Sequence, residues 1–112
     1  MYVINEPKIF SFKKVGIKGK IFLTDKLIDK SQYVLIETEK GHKTTIIERK
    51  CDFIYYIIKG KGYFIVNDKR EDCKKGDLVV VPHGIKFTYK GSLKMLLVIS
   101  PAWKEDQEVT LD

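Results

Sequence analysis

The feature that most constrains this sequence is a series of short apolar runs between Gly41 and Gly91, separated by glycine, proline and other turn residues. The runs are rich in β-branched and aromatic residues, as in Phe53–Ile58 and Leu78–Val81. Such residues are typical of β-strands, while glycine and proline favour turns. The apolar residues show no helical period. The pattern predicts an all-β fold of short antiparallel strands, either a sandwich or a small barrel.

The turn residues also predict where individual strands begin and end. Gly60–Gly62 is predicted as a tight turn between the strand Phe53–Ile58 and a return strand at Tyr63–Val66. The segments Ile85–Tyr89 and Leu93–Ser100 are predicted as two further strands. The chain therefore reads as a meander of hairpins rather than as alternating strands and helices.

Five turn residues stand at fixed offsets along this segment: Gly41, Gly60, Gly76, Pro82 and Gly84. The first two match the ends of the first conserved motif of the cupin family, and the other three match the second motif. The segment thus resembles a cupin. The resemblance implies a single-domain, all-β cupin fold, a double-stranded β-helix or jelly-roll barrel.

The positions that carry the metal ligands in cupins hold other residues here. The two histidine positions of the first motif hold Ile47 and Arg49, its glutamate position holds Phe53, and the histidine position of the second motif holds Phe87. Isoleucine and phenylalanine cannot bind a divalent metal, and arginine repels one. The resemblance therefore implies a cupin scaffold without the cupin metal, and we expect neither a metal nor another cofactor.

The chain has 112 residues, which fits one domain. We expect residues 1–40 to supply accessory strands, residues 41–101 to form the cupin core with both motifs, and residues 102–112 to form an acidic tail. In cupins, N-terminal strands often pair with a second subunit, so the resemblance implies a homodimer.

Composition narrows the range of partners and locations. No apolar run is long enough to cross a membrane, so we expect no membrane partner. The segment Met1–Pro7 lacks the pattern of a secretory signal, which predicts a cytoplasmic protein. Cys51 and Cys73 have no metal-binding or redox spacing and are expected to be reduced thiols.

The formal net charge of +6 raises the question of nucleic-acid binding. The lysines are spread almost evenly along the sequence, and Arg49 and Arg70 are the only arginines. Dedicated nucleic-acid binders usually cluster basic residues on one face and use arginine. Scattered lysines also keep sheet edges soluble. We therefore predict that nucleic acid is not a partner.

Strand alternation predicts which side chains face the barrel interior, because residues i and i+2 share a face. Starting from the cupin ligand positions, the predicted ligand-binding residues are Thr45, Ile47, Arg49, Phe53, Tyr55, Phe87 and Tyr89. Two interpretations remain open. The aromatic residues fill the barrel as a packed core, or they line a pocket in which Arg49 pairs with an anionic ligand.

Other candidate residues carry weaker predictions. His42 and His83 lie in turns and are predicted to be surface imidazoles. Cys51 is predicted to be a plain thiol rather than a nucleophile. Trp103 is predicted to anchor the tail to the barrel.

Three functional classes follow. The first is a metal-free cupin-type protein that binds a small molecule, sugar-like or anionic, in the barrel. The second is a metal-independent enzyme acting on a sugar or nucleotide-sugar as an isomerase or epimerase, for which Tyr55, Tyr89, Glu48 and His83 would supply acid–base chemistry. The third is a dimerising structural or interaction module. The first is preferred, and whether the protein is an enzyme stays open.

Overall fold

The computed structural model describes residues 2–103 and 108–111. In these ranges the chain forms strands joined by turns, and no helix is present. The strands are β1 (Phe12–Lys14), β2 (Ile17–Ile21), β3 (Gln32–Thr38), β4 (Ile46–Glu48), β5 (Asp52–Val66), β6 (Lys69–Lys74), β7 (Leu78–Val81), β8 (Phe87–Ser100) and β9 (Glu108–Thr110). Within the described ranges, accordingly, there is no apolar helix of membrane-spanning length.

All of these strands belong to one curled antiparallel sheet organised around β8. Strand β3 pairs with one edge of β8 and β5 pairs with the other. Strands β1 and β2 extend the sheet beyond β3, while β6 and β7 both pair with β5. Strand β4 meets β8 through the pair Ile46–Phe87 and is covered on its other edge by β9. The all-β prediction is confirmed.

The predicted turn at Gly60–Gly62 and the predicted break between the strands Ile85–Tyr89 and Leu93–Ser100 are both absent. The reason is that β5 and β8 are each one long strand. The predicted hairpin at Gly60–Gly62 lies inside β5, which pairs with β8 over almost its whole length. A Cβ atom at Gly62 would lie 2.1 Å from the carbonyl oxygen of Lys90, and one at Gly91 would lie 2.7 Å from the Cα of Gly62. These glycines therefore permit a close approach of the two strands rather than a reversal of the chain.

The core lies on the concave face of the sheet. Burial alternates along β5, where Phe53, Tyr55 and Ile57 are buried, and along β8, where every second residue from Leu93 to Ile99 is buried. This period of two is the signature of a sheet with one face packed and one face open. The inward direction predicted for β5 is therefore confirmed.

The N-terminal and C-terminal segments join the same sheet. Between β2 and β3 the chain forms a hydrogen-bonded turn, in which the amides of Leu27 and Ile28 donate to the carbonyl oxygen of Thr24. In the predicted acidic tail, Trp103 packs against the core and Glu108–Thr110 forms β9, so both parts are anchored. Residues 104–107 and 112 of that tail lie outside the described residues.

Candidate functional site

Aromatic side chains from β5 and β8 meet in the interior of the curled sheet. Their ring centroids lie 5.0–6.2 Å apart, mostly in edge-to-face arrangements, which are the favoured geometries for aromatic pairs. At most 4% of any of these side chains is exposed. The members of this aromatic cluster are Phe53, Tyr55, Phe64, Phe87 and Tyr89. The inward orientation predicted for four of them is confirmed, and Phe64 is an addition.

His42 lies beside this cluster. Its ring centroid is 5.6 Å from that of Tyr89, and the Tyr89 centroid is in turn 5.5 Å from that of Tyr55. Only 6% of His42 is exposed, so the prediction of a surface imidazole is wrong. The three polar aromatic side chains form a connected row, which we call the His–Tyr row.

The backbone around His42 explains its burial. Gly41 has a positive φ of 107° and forms an isolated β-bridge with Lys90. The amide of His42 donates to the carbonyl oxygen of Tyr89 at 2.9 Å. Its own carbonyl oxygen accepts from the Oγ1 of Thr88 and from the Nζ of Lys90, the latter at 2.6 Å. The histidine is thus fixed against β8, although it belongs to no strand.

The tautomer of His42 is set by Thr44. The Nδ1 atom lies 2.9 Å from the carbonyl oxygen of Thr44, which can only accept a hydrogen bond. This contact favours the proton on Nδ1 and the lone pair on Nε2, and the Oγ1 of Thr44, at 3.1 Å, can accept from the same Nδ1. The Thr44 amide lies farther away, at 3.2 Å, and would favour the opposite tautomer. The shorter contact favours Nε2 as the basic nitrogen.

On β4, the predicted side-chain directions are reversed. Ile46 and Glu48 are buried, whereas Ile47 is only partly buried and Arg49 is exposed. Arg49 therefore does not point into the barrel, and the idea that it binds an enclosed anion loses its basis. The error arises because the chain bends at residues 43–44 before β4 begins, and one residue of offset moves every side chain of a strand to the other face.

Thr45 does not join the aromatic cluster either. It lines a separate groove of about 300 Å³ together with Ile65, Lys86, Thr88 and Leu111. The ligand-binding role predicted for Thr45 and the other residues of that set stays a prediction.

The inward positions do not fit the cupin metal. Where the chain would have to supply a ring of ligands, it presents Ile46, Glu48, Phe53 and Phe87, of which only the glutamate can bind a divalent ion. Within residues 2–103 and 108–111, no group of three or more metal-binding side chains comes together. The described residues therefore supply no ligand set for the cupin metal at this site.

Glu48 is the last residue of β4, and its carboxylate is buried, with only 2% of the residue exposed. Its Oε1 atom accepts hydrogen bonds from the amides of Lys50 and Cys51, at 3.0 and 3.2 Å. No hydrogen-bond partner for its Oε2 atom is found within residues 2–103 and 108–111. Glu48 thus stabilises the tight connection between β4 and β5 through its Oε1 atom.

The Cys51 side chain is buried against this carboxylate. Burial, reinforced by the negative charge and hydrogen bonding of Glu48, raises the pKa of the Cys51 thiol to about 11. A thiol that stays protonated at neutral pH is a poor nucleophile, which agrees with the prediction of an inert cysteine. Burial also raises the pKa of Cys73.

His83 is exposed, as predicted, and pairs with Asp52 at the surface. Its amide and its Nδ1 lie 2.9 and 3.0 Å from the Asp52 carboxylate. The backbone hydrogen bond, followed by that from the ring, lowers the pKa of Asp52. His83 therefore caps a turn at the surface and is poorly placed to act in the interior.

Sequence reasoning missed His42, the one histidine that reaches the interior. The available signal was its place directly after Gly41 and two residues before Thr44. A glycine with a positive φ can turn the next side chain inward, and a threonine two residues later can fix an imidazole. Strand periodicity does not reveal such a residue, because it lies outside the strands.

Solved structures similar to this chain share its fold over nearly its whole length. Streptomyces PAC13 with the H42Q change, bound to uridine, has a TM-score of 0.91 and 24% identity, with 100% of this chain and 92% of that chain covered. A structure of Pac13 described as a unique nucleoside dehydratase has a TM-score of 0.90 and 25% identity, covering 99% and 91%. Two further PAC13 structures with uridine carry Y89F or Y55F.

A more distant similarity extends to KdgF from Halomonas sp., with a TM-score of 0.72, 19% identity, and 88% and 89% of the two chains covered. An RmlC-like cupin from Shewanella frigidimarina has a TM-score of 0.69 and 17% identity, covering 88% and 86%. No curated protein matches the sequence. These structures confirm the cupin fold.

The model of the ARD/ARD′ family matches residues 31–97, a span that includes both predicted motifs and well over half of the 112 residues. The chain is a cupin and belongs to the ARD/ARD′ family.

Proposed function

We propose that this protein binds a nucleoside in the interior of the barrel and eliminates water from it, with His42 as the base and without a metal. The observation that carries the proposal is the His–Tyr row, in which a buried imidazole and two buried phenols follow one another at centroid distances of 5.6 and 5.5 Å. This merges two of the predicted classes, a metal-free binding cupin and a metal-independent enzyme.

The PAC13 structures support a functional role for the same three positions. Their H42Q, Y55F and Y89F changes concern a histidine and two tyrosines, and this chain has His42, Tyr55 and Tyr89 at the same numbers. The alignments cover at least 99% of this chain. At 24–25% identity this correspondence supports a proposal of related chemistry.

The geometry is suited to an elimination. In an oxidised nucleoside a carbonyl group acidifies the neighbouring sugar carbon. The lone pair on the Nε2 of His42 takes the proton from that carbon, a carbon–carbon double bond forms, and the hydroxyl group on the next carbon leaves. That hydroxyl takes up one proton and departs as water. That proton is the one that His42 removed, returned either directly or through the phenol of Tyr55 or Tyr89, which is protonated again by His42.

The surroundings favour this chemistry. Phe53, Phe64 and Phe87 enclose the row with apolar rings, which offer contact to a nucleobase and limit access of water. The hydrogen bond from Nδ1 to the Thr44 carbonyl oxygen holds the imidazole in the tautomer that a base requires.

The experiment is to incubate the purified protein with uridine and with oxidised and phosphorylated uridine derivatives, and to measure loss of water by mass spectrometry. We expect His42→Gln to lower turnover by about 10²–10⁴-fold, as for loss of a general base. Tyr55→Phe and Tyr89→Phe should lower turnover less, because each removes one hydroxyl and keeps the ring.

His83→Gln is the matched control, since His83 is the other histidine and is exposed. It should leave turnover unchanged, and a chelator should have no effect. If the wild type binds uridine in a thermal-shift assay and forms no product from any nucleoside, the protein is a binding protein and the enzymatic part of the proposal is wrong. Equal losses in His42→Gln and His83→Gln would also contradict it.

A further inference from the structure

The excess positive charge of this protein is concentrated in one groove. The groove has a volume of about 880 Å³ and runs over β1, β2, β3, β8 and β5. Eight lysines and two glutamates line it, and we call it the lysine groove. Of the 21 basic and 15 acidic residues in the chain, thirteen of each remain elsewhere. The lysines are spread almost evenly along the sequence, but eight of them come together in this groove.

The pairing of the strands aligns four of these lysines in a row. Lys13 is the register partner of Lys18, and Glu37 is the partner of both Lys18 and Lys94. Lys94 is in turn the partner of Lys59. Because neighbouring strands lie about 4.8 Å apart, the row extends over roughly 19 Å across five strands. One glutamate therefore stands among four lysines.

Two of the neighbouring pairs in this row place like charges directly opposite each other, namely Lys13–Lys18 and Lys59–Lys94. Such cross-strand pairs are destabilising. None of the four lysines forms an ion pair with any residue of the described ranges. Elsewhere on the surface, by contrast, Lys20, Lys74 and Lys86 each have a carboxylate partner.

A row of uncompensated cations in a groove is complementary to a linear polyanion. The volume is that of a small-molecule site. Proteins that bind single-stranded nucleic acids combine a basic groove with aromatic side chains for base stacking. Among the described residues, the lining of this groove includes no aromatic side chain, and the nearby rings of Phe10, Phe12 and Trp103 lie under the ammonium groups of Lys18 and Lys14. The groove therefore favours a compact anion over a nucleic-acid strand.

We propose that the lysine groove is a binding site for the phosphate chain of a small, multiply phosphorylated molecule, such as a nucleoside triphosphate. This site is distinct from the His–Tyr row and stands whether or not the proposed dehydration is correct. Lys90 connects the two regions: it lines the groove, and its Nζ donates to the carbonyl oxygen of His42 at 2.6 Å.

Inorganic tripolyphosphate is the direct probe, because it carries the anionic chain and no base or sugar. Binding is measured by isothermal titration calorimetry at several salt concentrations. We expect tripolyphosphate and UTP to bind with similar affinity, which decreases as salt increases. Uridine should not compete for this site.

The test variant is Lys59→Gln/Lys94→Gln, which keeps most of the side-chain length and removes one of the like-charged pairs. The matched control is Lys26→Gln/Lys30→Gln, which removes the same charge from an exposed turn outside the groove. We expect the test variant to weaken tripolyphosphate binding by about tenfold or more, and the control by less than about twofold.

The thermal melting temperature provides a second readout. Without ligand, the test variant should melt at the same or a higher temperature than the wild type, because a repulsive pair is gone. Its rise in melting temperature with tripolyphosphate should be smaller than that of the wild type. If the substitutions instead damaged the fold, the test variant would melt at a lower temperature than the wild type in the absence of ligand.

The proposal is overturned if tripolyphosphate does not bind, or if the two double variants weaken binding equally, since that would show a general effect of net charge. It is also overturned if a single-stranded or duplex oligonucleotide binds the groove lysines while tripolyphosphate and UTP do not. In that case the partner is nucleic acid.

Discussion

The aromatic cluster and the lysine groove lie on opposite faces of the same strands. On β8, Met95 faces the interior and Lys94 faces the groove; on β5, Ile57 faces the interior and Lys59 faces the groove. The inner face is buried and mostly aromatic and aliphatic, whereas the outer face is cationic and open. The two faces therefore differ in what their side chains contribute: the interior stabilises the fold and holds the His–Tyr row, and the groove offers positive charge that the fold does not use.

Truncation of an interior ring should give the largest contrast. Phe64 is fully buried, and Phe64→Ala should lower the free energy of unfolding by about 3–5 kcal/mol. Lys13→Ala, in the groove, should change it by less than about 0.5 kcal/mol. Urea denaturation of both variants measures the difference. Similar losses would mean that the groove lysines also support the fold.

The buried carboxylate of Glu48 should show an intermediate effect. Glu48→Ala removes the acceptor of two amide hydrogen bonds, one of them from the buried Cys51, at a cost of about 1–3 kcal/mol. Glu48→Gln keeps an oxygen in place and should cost clearly less. Chemical denaturation at neutral pH compares them. If both variants lose the same stability, the negative charge matters more than the hydrogen bonds.

The stability of the protein should also depend on pH. The folded protein holds the Cys51 proton up to a pKa of about 11, whereas the unfolded chain releases it near 9.0. Between these values the unfolded state binds fewer protons, so increasing pH should favour unfolding. The stability that Cys51 contributes is present below about pH 9 and is lost as the pH rises towards about 11.

The matched comparison for this pH effect is Cys51→Ala, which removes the titrating group and leaves the lysines in place. Its stability should decline less steeply above pH 9 than that of the wild type, as measured by denaturation at each pH. Parallel declines would assign the pH dependence to the lysines or to Cys73 instead.

The two faces also explain which predictions from sequence were correct. The alternation along β5 is regular and apolar, so the inward direction of Phe53 and Tyr55 follows from the sequence. Strand β4 is three residues long and lies between two bends, so its register depends on turn geometry that composition does not encode. The reversed orientation of Ile47 and Arg49 is the result.

Features that depend on contacts between residues distant in sequence could not be predicted from the sequence. The burial of His42 depends on a bridge to β8, 46–48 residues away along the chain. The lysine groove depends on strand register, because Lys13 and Lys59 become members of one row only after five strands have paired. The continuous course of β5 through Gly60–Gly62 depends on the partner strand in the same way.

The pairing of β9 with β4 determines which backbone groups a C-terminally truncated chain would expose. Ile47 pairs with Val109, and the amide of Leu111 donates to the carbonyl oxygen of Thr45. Without β9, the outer edge of β4 would present unpaired amides and carbonyls directly above the buried Glu48. A shortened chain would thus offer a template to the corresponding strand of a neighbouring molecule, and exchange of this strand between molecules would give linked oligomers.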